Sequence, residues 1–359
     1  MSSERNLDDK FLHALRILAP GTGLREGIES ILRGKMGALI VVSDSPQVMS
    51  IIDGGFHLDC EFTPAAIYEL AKMDGAIILN RDSKRILWAN TQLIPDPSIP
   101  SFETGIRHRT AERVARQTGE LVIAISQRRG IISLYWGPMK YVLQDIGVLL
   151  VKANQALQTL EKYKMVLDKD LITLTAMEFE NLVTVFDVAK VIQRMELVMR
   201  IVHEIRSYVS ELGVEGRLVN LQLEELVGDV EDEVLLIIRD YSAKYGDRSP
   251  REIRDSIRRW SSEELTDLVA IGRALGYGST AGILDLSVSP RGYRMLQKIP
   301  RLPMQVIENV VEKFNELPKI LRASINELDD VEGIGEVRAR AIKSGLKRLQ
   351  EQAILARHS

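Results

Sequence analysis

The chain has 359 residues, of which 45% are hydrophobic and 27% charged, and its formal net charge at pH 7 is −3. This length suits two or three domains, and no stretch approaches the roughly 18 uninterrupted apolar residues of a membrane-spanning helix. Met1–Lys10 carries mixed charge, unlike an export signal, and Cys60 is the only cysteine. We therefore expect a cytoplasmic protein without a disulfide or a membrane partner.

Residues 1–146 mix strand and helix signals. Turn-forming residues at Asn80–Arg85 and Gln127–Gly130 predict two hairpins, and Thr63-Pro64 is typical of the start of a helix. The Pro-rich stretch Ile94–Pro100 predicts a loop. Short apolar runs predict strands at Gly37–Val42, Ala76–Leu79, Ile86–Asn90, Leu121–Ser126 and Ile131–Trp136. The fold class expected here is α/β, a mixed twisted sheet flanked by helices.

A cluster of cations opens the predicted helix Arg107–Thr118, which Gly119 ends. Arg107, His108 and Arg109 would lie at the positive pole of this helix, where each cation costs roughly 0.3 to 1 kcal/mol. A bound anion at that terminus would remove the cost. This pattern indicates a phosphate site.

Residues 147–285 predict an all-α spine. Apolar residues recur at steps of three and four from Val188 to Leu212, a coiled-coil-like seam. A second apolar series, running from Leu221 to Ile238, could provide an antiparallel partner within the chain, and a free dimeric coiled coil is the less favoured alternative. Capping boxes at Ser249/Glu252 and Ser261/Glu264 predict the starts of further helices.

Residues 286–359 predict a small all-α domain with two helix-hairpin-helix units. Ile299–Pro303 precedes one helix, and Val331–Gly335 precedes another that is expected to end near Leu349. Residues 165–247 hold 8 Lys and Arg against 17 Asp and Glu, whereas residues 286–359 hold 13 against 9. This division suggests separate tasks, although solvated helix faces would explain the charge equally well.

The second hairpin combines two glycines with a basic helix. Gly333 and Gly335 would let the backbone approach a phosphate, and Arg338, Arg340 and Lys343 follow without an acidic residue between Val337 and Gln350. The motif resembles the helix-hairpin-helix of DNA repair proteins, and a simple helix connector is the alternative. DNA binding of this kind would be independent of sequence and sensitive to salt.

Asp74-Gly75-Ala76 lies between a predicted helix and a predicted strand, and a simple turn would explain it. Together with the Arg107–Thr110 helix start it supports another hypothesis, in which Asp74 holds a divalent cation and the cations hold the phosphates of a nucleoside triphosphate.

Asp74-Gly75-Ala76, Arg107-His108-Arg109-Thr110 within Glu103–Gln117, and Val122–Ser126 together resemble the diadenylate cyclase domain. With a helical spine and a helix-hairpin-helix tail in this order, nearly the whole chain resembles the bacterial DNA integrity scanning family. This resemblance divides the chain into a cyclase domain (1–146), a helical spine (147–285) and a DNA-binding domain (286–359).

The resemblance implies an enzyme that condenses two ATP molecules into cyclic di-AMP with release of two pyrophosphates, using Mg²⁺ or Mn²⁺. It implies a homo-octamer with facing cyclase domains, association with the nucleoid, and control by branched or junction DNA, which we expect to lower synthesis. Asp74 would be the metal-linked carboxylate, and Arg107, His108 and Arg109 would bind the triphosphate. The ATP-binding residues implied besides these are Gly75, Ala76, Thr110, Ser126 and Arg128.

This chain departs from the family at one position. The family usually has threonine before the Arg-His-Arg motif, and here Ile106 stands there. The departure supports an alternative, a non-catalytic oligomeric DNA-binding scaffold with a nucleotide-sensing N-terminal domain. Arg128 also has an alternative, as a solvated cation of the hairpin turn.

Overall fold

The computed structural model describes residues 13–243, 248–278 and 280–357, so the charged segment Met1–Lys10 lies outside these ranges. The chain forms two compact units, Met1–Gln155 with Ile205–Leu221, and Ala156–Glu204 with Gln222–Ser359. In the described ranges, no helix has both the length and the apolar character needed to cross a bilayer.

The first unit is built on a mixed sheet. Its strands are β1 (Ala38–Val42), β2 (Ile52–Asp53), β3 (Phe56–Glu61), β4 (Ala76–Leu79), β5 (Arg85–Leu93), β6 (Leu121–Ser126), β7 (Ile131–Trp136) and β8 (Met139–Val142). Their order is β2-β5-β4-β1-β6-β7-β8, with β3 also pairing with β5. Among the strands of the described residues, only β1 and β4 pair in parallel, and both predicted hairpins, β4-β5 and β6-β7, are confirmed.

Helices cover both faces of this sheet, as predicted. Alternate residues of each central strand point to opposite faces, and β1 is buried along its whole length. One face packs against α1 (Gly23–Arg33) and α3 (Pro64–Leu70), and the other against α4 (Ile106–Thr118). The short helix α2 (Pro46–Met49) adds Val48 to the second core.

The remaining described chain is helical. Its first half contains α5 (Ile146–Glu180), α6 (Val185–Leu212), α7 (Arg217–Val227), α8 (Val230–Tyr241), α9 (Pro250–Arg258), α10 (Ser262–Thr266) and α11 (Leu268–Ala274). Its second half contains α12 (Tyr293–Gln297), α13 (Met304–Phe314), α14 (Leu317–Arg322), α15 (Ile325–Asp329) and α16 (Glu336–Arg357). Capping boxes at Ser249, Ser261 and Ser324 begin α9, α10 and α15.

The predicted seam lies on α6, where Val188, Met195 and Val202 are fully buried. The prediction that the second apolar series forms a long partner helix for α6 was wrong. The segment from Leu221 to Ile238 is not one helix, because Gly228 adopts a φ of +48° between α7 and α8, and Leu221 is exposed. Instead, Asp170 of α5 forms ion pairs with Lys190 and Arg194 of α6, at 2.9 and 2.7 Å.

The C-terminal helices contain the two predicted hairpins. Lys298–Pro303 joins α12 to α13, and Asp330–Gly335 joins α15 to α16, with buried Ile299 and Val331 in one shared core. Helix α16 continues to Arg357, past the predicted end at Leu349, because no Gly or Pro follows Gly345.

Candidate active site

The predicted site residues of the first unit gather at one edge of the sheet. The register pairs Leu39 of β1 with Ala76 of β4 and Ala38 with Ile125 of β6. The starts of β1 and β4 and the end of β6 therefore share an edge. Asp74 precedes β4, and Ser126 ends β6 at this edge.

An ion pair joins the two motifs that the sequence patterns singled out. Nη2 of Arg107, at the start of α4, lies 2.5 Å from Oδ1 of Asp74. The Arg107 guanidinium also lies against Gly37, where it would contact any Cβ atom. The Asp74 side chain is 92% exposed, so its carboxylate remains accessible to a ligand.

The Cβ positions of Gly75 and Ala76 face the protein interior. A Cβ atom at Gly75 would collide with the backbone of Asn90 and lie 2.7 Å from the Thr91 nitrogen. Ala76 is 2% exposed, and its carbonyl accepts a hydrogen bond from the Thr91 hydroxyl at 3.3 Å. These residues can therefore contribute to ATP binding only through the remaining backbone surface.

His108 is half-buried in the first turn of α4. Its ring packs edge-on against Tyr135 with centroids 6.4 Å apart, and its buried Nε2 has no hydrogen-bond partner among the described residues. Burial lowers the His108 pKa, and the charges of Arg129, Lys140 and Arg107 lower it further, whereas Glu103 raises it. Neutral imidazole is the favoured form near pH 7.

Glu103, Tyr135 and Lys140 form a cluster beside His108 that sequence reasoning missed. The Tyr135 hydroxyl donates to Oε1 of Glu103 at 2.9 Å, and the Lys140 ammonium forms an ion pair with the same oxygen. Burial raises the pKa of Glu103, but the contacts with Lys140 and Tyr135 outweigh it and the net pKa is lowered. Glu103 had no signal of its own beyond its place in the Glu103–Gln117 run.

The other predicted ATP-binding residues lie around this edge. Arg109 is exposed, and its Nε donates to the Glu103 carbonyl at 3.4 Å. Thr110 is partly buried on α4, and the Ser126 hydroxyl accepts from the Arg129 backbone nitrogen at 3.3 Å. Arg128 is exposed in the β6-β7 turn. The charge of its neighbour Arg129 lowers the His108 pKa.

Ile106 occupies the first position of α4 with its side chain 83% exposed. Gly105 caps the helix without a side-chain hydrogen bond. The apolar side chain therefore leaves the helix start intact and places an ethyl group where threonine has a hydroxyl.

The donor set at this edge suits a metal ion that arrives with its substrate. The described residues hold no cluster of three or more His, Cys, Asp or Glu side chains with metal-binding spacing. Mg²⁺ commonly uses one or two carboxylates together with substrate phosphates and water. The exposed carboxylate of Asp74 fits this mode of binding.

The second hairpin has the expected backbone. Gly333 adopts a φ of +82°, and a Cβ atom at Gly335 would have no neighbour within 4 Å. Arg338 donates to the Gly333 carbonyl at 2.5 Å, and Arg340 forms an ion pair with Glu336. Each guanidinium has five N–H donors, so both side chains retain donors for a phosphate.

Lys343, the third cation of the predicted DNA contact, makes a hydrogen bond within the domain. Its ammonium donates to the Leu321 carbonyl at 2.7 Å, at the end of α14. This contact satisfies a terminal helix carbonyl within the domain. The ammonium has two further donors, so Lys343 stays a candidate for DNA contact beside Arg338 and Arg340.

Two family models match consecutive parts of the chain. Residues 25–138 match the family model described as DisA bacterial checkpoint controller nucleotide-binding, and residues 143–284 match the DisA bacterial checkpoint controller linker region.

Proteins named DNA integrity scanning protein DisA are similar over almost their full length. The one from Carboxydothermus hydrogenoformans is 61% identical over 96% of this chain and 98% of its own. Those from Symbiobacterium thermophilum and Clostridium tetani are 60% and 58% identical, over 97% and 96% of this chain and 98% and 95% of theirs. The chain therefore belongs to the DNA integrity scanning protein DisA family, and it is a diadenylate cyclase.

Proposed function

We propose that the chain condenses two ATP molecules into cyclic di-AMP and two pyrophosphates at the sheet edge that holds Asp74 and Arg107. The observation that carries this proposal is the 2.5 Å ion pair between these residues. It brings a carboxylate beside the helix start that carries Arg107, His108 and Arg109, so groups for hydroxyl activation and phosphate binding lie together.

The proposed roles follow from charge and position. In each half-reaction the ribose 3′-oxygen of one ATP bonds to the α-phosphorus of the other, and the bond from that phosphorus to the pyrophosphate oxygen breaks. Asp74 orients the 3′-hydroxyl and assists removal of its proton. Arg107 and Arg109, with the N-terminal amides of α4, stabilise the charge that grows on the leaving pyrophosphate.

His108 supplies a further contact to the triphosphate. In its neutral form the ring can donate one hydrogen bond without adding another cation to the helix start. Thr110, Ser126 and Arg128, with the backbone of Gly75 and Ala76, complete the ATP site in this proposal.

Asp74 would hold Mg²⁺ or Mn²⁺ together with the phosphate oxygens. When bound, the ion supplies Lewis-acid stabilisation of charge on the phosphates. A single carboxylate beside phosphate oxygens suits either ion, because both prefer oxygen ligands.

Two active sites must face each other, because each ATP is both attacker and target. Exposed apolar side chains at the site support such an assembly: Phe102 is 85% and Ile106 83% exposed. Burial of this surface against a second cyclase domain would be favourable. We propose the homo-octamer with facing cyclase domains as that assembly.

The C-terminal hairpin Asp330–Gly335 is the proposed DNA contact. Its open glycine backbone and the cations Arg338 and Arg340 suit phosphates rather than bases, so binding is independent of sequence. Branched or junction DNA is the proposed ligand, its binding lowers cyclase output, and the protein associates with the nucleoid.

The stoichiometry of the reaction tests the catalytic proposal. Purified chain is incubated with ATP and either Mg²⁺ or Mn²⁺, and nucleotides and pyrophosphate are quantified by mass-resolved chromatography and an enzymatic assay. We expect one cyclic di-AMP and two pyrophosphates for every two ATP consumed. Linear products or ADP as the main product would contradict the proposal.

A further inference from the structure

Glu103 anchors the loop that leads into α4. Its side chain is only 11% exposed, although it carries a charge. Two strands supply its partners: Tyr135 of β7 donates from its hydroxyl at 2.9 Å, and Lys140 of β8 forms the ion pair. A buried charge with two such contacts is held in one position.

Glu103 is linked to two of the three candidate phosphate ligands, Arg109 and His108. The Glu103 backbone carbonyl accepts from Nε of Arg109 at 3.4 Å. Tyr135, which binds the Glu103 carboxylate, also packs edge-on against the His108 ring. Movement of Glu103 would therefore alter the surroundings of two side chains at once.

We propose that Glu103, held by Tyr135 and Lys140, is the positioning residue that sets the orientation of His108 and Arg109 for the triphosphate. This inference rests on the proposed function of the site. Glu103 acts through its neighbours and is not itself a catalytic residue.

The loop has other attachments that do not pass through Glu103. Glu112 of α4 accepts from the Ser101 hydroxyl at 2.5 Å and from the Phe102 nitrogen at 3.1 Å. Arg113 donates to the Ile99 carbonyl at 2.9 Å. Loss of the Glu103 charge should therefore leave the loop folded and affect mainly its last residues.

The charges around His108 allow a measurement that distinguishes the proposed role of Glu103 from a role in packing alone. Glu103 is the charge that raises the His108 pKa, whereas Lys140, Arg107 and Arg129 lower it. Neutralising Glu103 should move this pKa down, and neutralising Lys140 should move it up. Both changes break the same ion pair, so a purely structural role predicts no such opposition.

The experiment uses the full chain with ATP as the probe. The pH dependence of kcat/KM and of ATP affinity is measured for wild type, Glu103→Gln, Lys140→Met and Tyr135→Phe. The inflection absent from His108→Gln is assigned to His108. Glu120→Gln is the matched control, because Glu120 is also poorly exposed and forms an ion pair with Arg81, at the opposite end of β6.

We expect Glu103→Gln to reduce kcat/KM by about 10- to 100-fold, since small misplacement of a positioned group has effects of this order. The His108 inflection should shift to lower pH in Glu103→Gln and to higher pH in Lys140→Met. Tyr135→Phe should reduce kcat/KM without a comparable shift, and Glu120→Gln should match wild type.

Two results would overturn the inference: wild-type kcat/KM and inflection in Glu103→Gln, or shifts of the same sign in Glu103→Gln and Lys140→Met. A wild-type chain that makes no cyclic di-AMP would overturn the proposed function instead. The pH inflection in ATP affinity would then test whether Glu103 orients His108 and Arg109. If Glu103→Gln does not fold, Glu103→Asp tests the loss of kcat/KM, because it shortens the side chain and keeps the charge, and Lys140→Met tests the shift of the His108 inflection. Wild-type values of both readouts would then overturn the inference.

Discussion

Gly75 is required for the close approach of two strands next to the carboxylate of the proposed active site. Its α-carbon faces the Asn90 backbone, and Asn90 itself adopts a φ of +54° at the point where β5 passes. Backbone atoms cannot rotate away as a side chain can. The glycine between Asp74 and Ala76 therefore allows β4 and β5 to approach while Asp74 stays at the sheet edge.

Gly75→Ala should destabilise the first unit by about 1–3 kcal/mol, because the added methyl group forces the two strands apart. Urea unfolding followed by circular dichroism measures the effect. Gly105→Ala is the matched control: the nearest atom to its Cβ would be Nδ1 of His108 at 3.7 Å, so its stability should change by less than about 0.5 kcal/mol. Equal effects of the two substitutions would contradict this account.

Residue-scale prediction was possible where the signal was local. The misplaced cations at the start of α4 and the Asp-Gly-Ala turn are visible in the sequence, and an ion pair joins them at the sheet edge proposed as the active site. Glu103 was missed because a loop glutamate has no period or cap pattern, and Tyr135, its hydrogen-bond partner, lies 32 residues further along the chain. Only the sheet topology brings them together.

At the scale of elements, the two C-terminal hairpins both have a residue with a positive φ at the same position of the turn. Arg301 in the first has a φ of +63° at the position that corresponds to Gly333, with a φ of +82°, in the second. Non-glycine residues adopt this conformation at a cost. The second hairpin thus has the less strained turn and the more open backbone.

The two glycines of this hairpin should respond differently to substitution. Gly335→Ala should leave stability unchanged and weaken binding of labelled junction DNA roughly tenfold, because its methyl group would enter the space of the phosphate. Gly333→Ala should also lower stability, since its φ is positive. Fluorescence anisotropy at fixed salt measures the affinity.

Gly282→Ala is the control for this series, because a Cβ atom there also has no neighbour within 4 Å and the residue lies outside the hairpin. It should bind junction DNA like wild type. Wild-type affinity in Gly335→Ala would remove this hairpin from the DNA contact.

Helix boundaries were predictable wherever caps mark them. Both predicted capping boxes are present, and a third lies at Ser324, because a Ser followed by Glu three residues later satisfies its own helix start. The partner of α6 was not predictable in this way. Gly228 interrupts an apolar series that looks continuous, and pairing between long helices depends on distant residues such as Asp170.

At the scale of the whole molecule, a buried charge network holds the second unit together. Arg294 of α12 forms an ion pair with Glu178 of α5 at 2.5 Å, and both side chains are 1% exposed. Asp240 of α8 accepts from the backbone nitrogens of Gly292, Tyr293 and Arg294, at 2.7, 2.7 and 3.0 Å. The network thus joins residues of the predicted spine to the first C-terminal helix.

This network should make stability depend on pH. Burial and the nearby Glu178 raise the pKa of Asp240 from 3.8 to about 7. The folded state therefore binds this proton more tightly than the unfolded state, and the resulting stability is lost as pH rises towards and through 7. Between pH 5 and 8 the loss should be about 2–3 kcal/mol.

Urea unfolding of wild type and Asp240→Asn at pH 5 and pH 8 measures this loss. The variant should be less stable at pH 5, because it loses one acceptor for the α12 amides, but it should show a smaller change between the two pH values. An equal change in both proteins would show that Asp240 does not titrate in this range.

The order of the three regions could be predicted from patterning alone, since period, turn residues and charge change along the chain. The two compact units could not, because residues 205–221 join the first unit although they follow much of the second. The domain bounds at 146 and 285 therefore stay a prediction. Conversion of ATP was predictable only through motif resemblance, since no single residue specifies it.

The most direct test of the account is cyclic di-AMP formation by wild type and Asp74→Asn under the same conditions of ATP and metal ion, with particle mass and ATP affinity measured in parallel. Asp74 is 92% exposed, so its replacement should leave folding, assembly and DNA binding unchanged. We expect product from wild type and a loss of at least about 100-fold in the variant. Equal product from both proteins would contradict the assignment of this sheet edge as the active site.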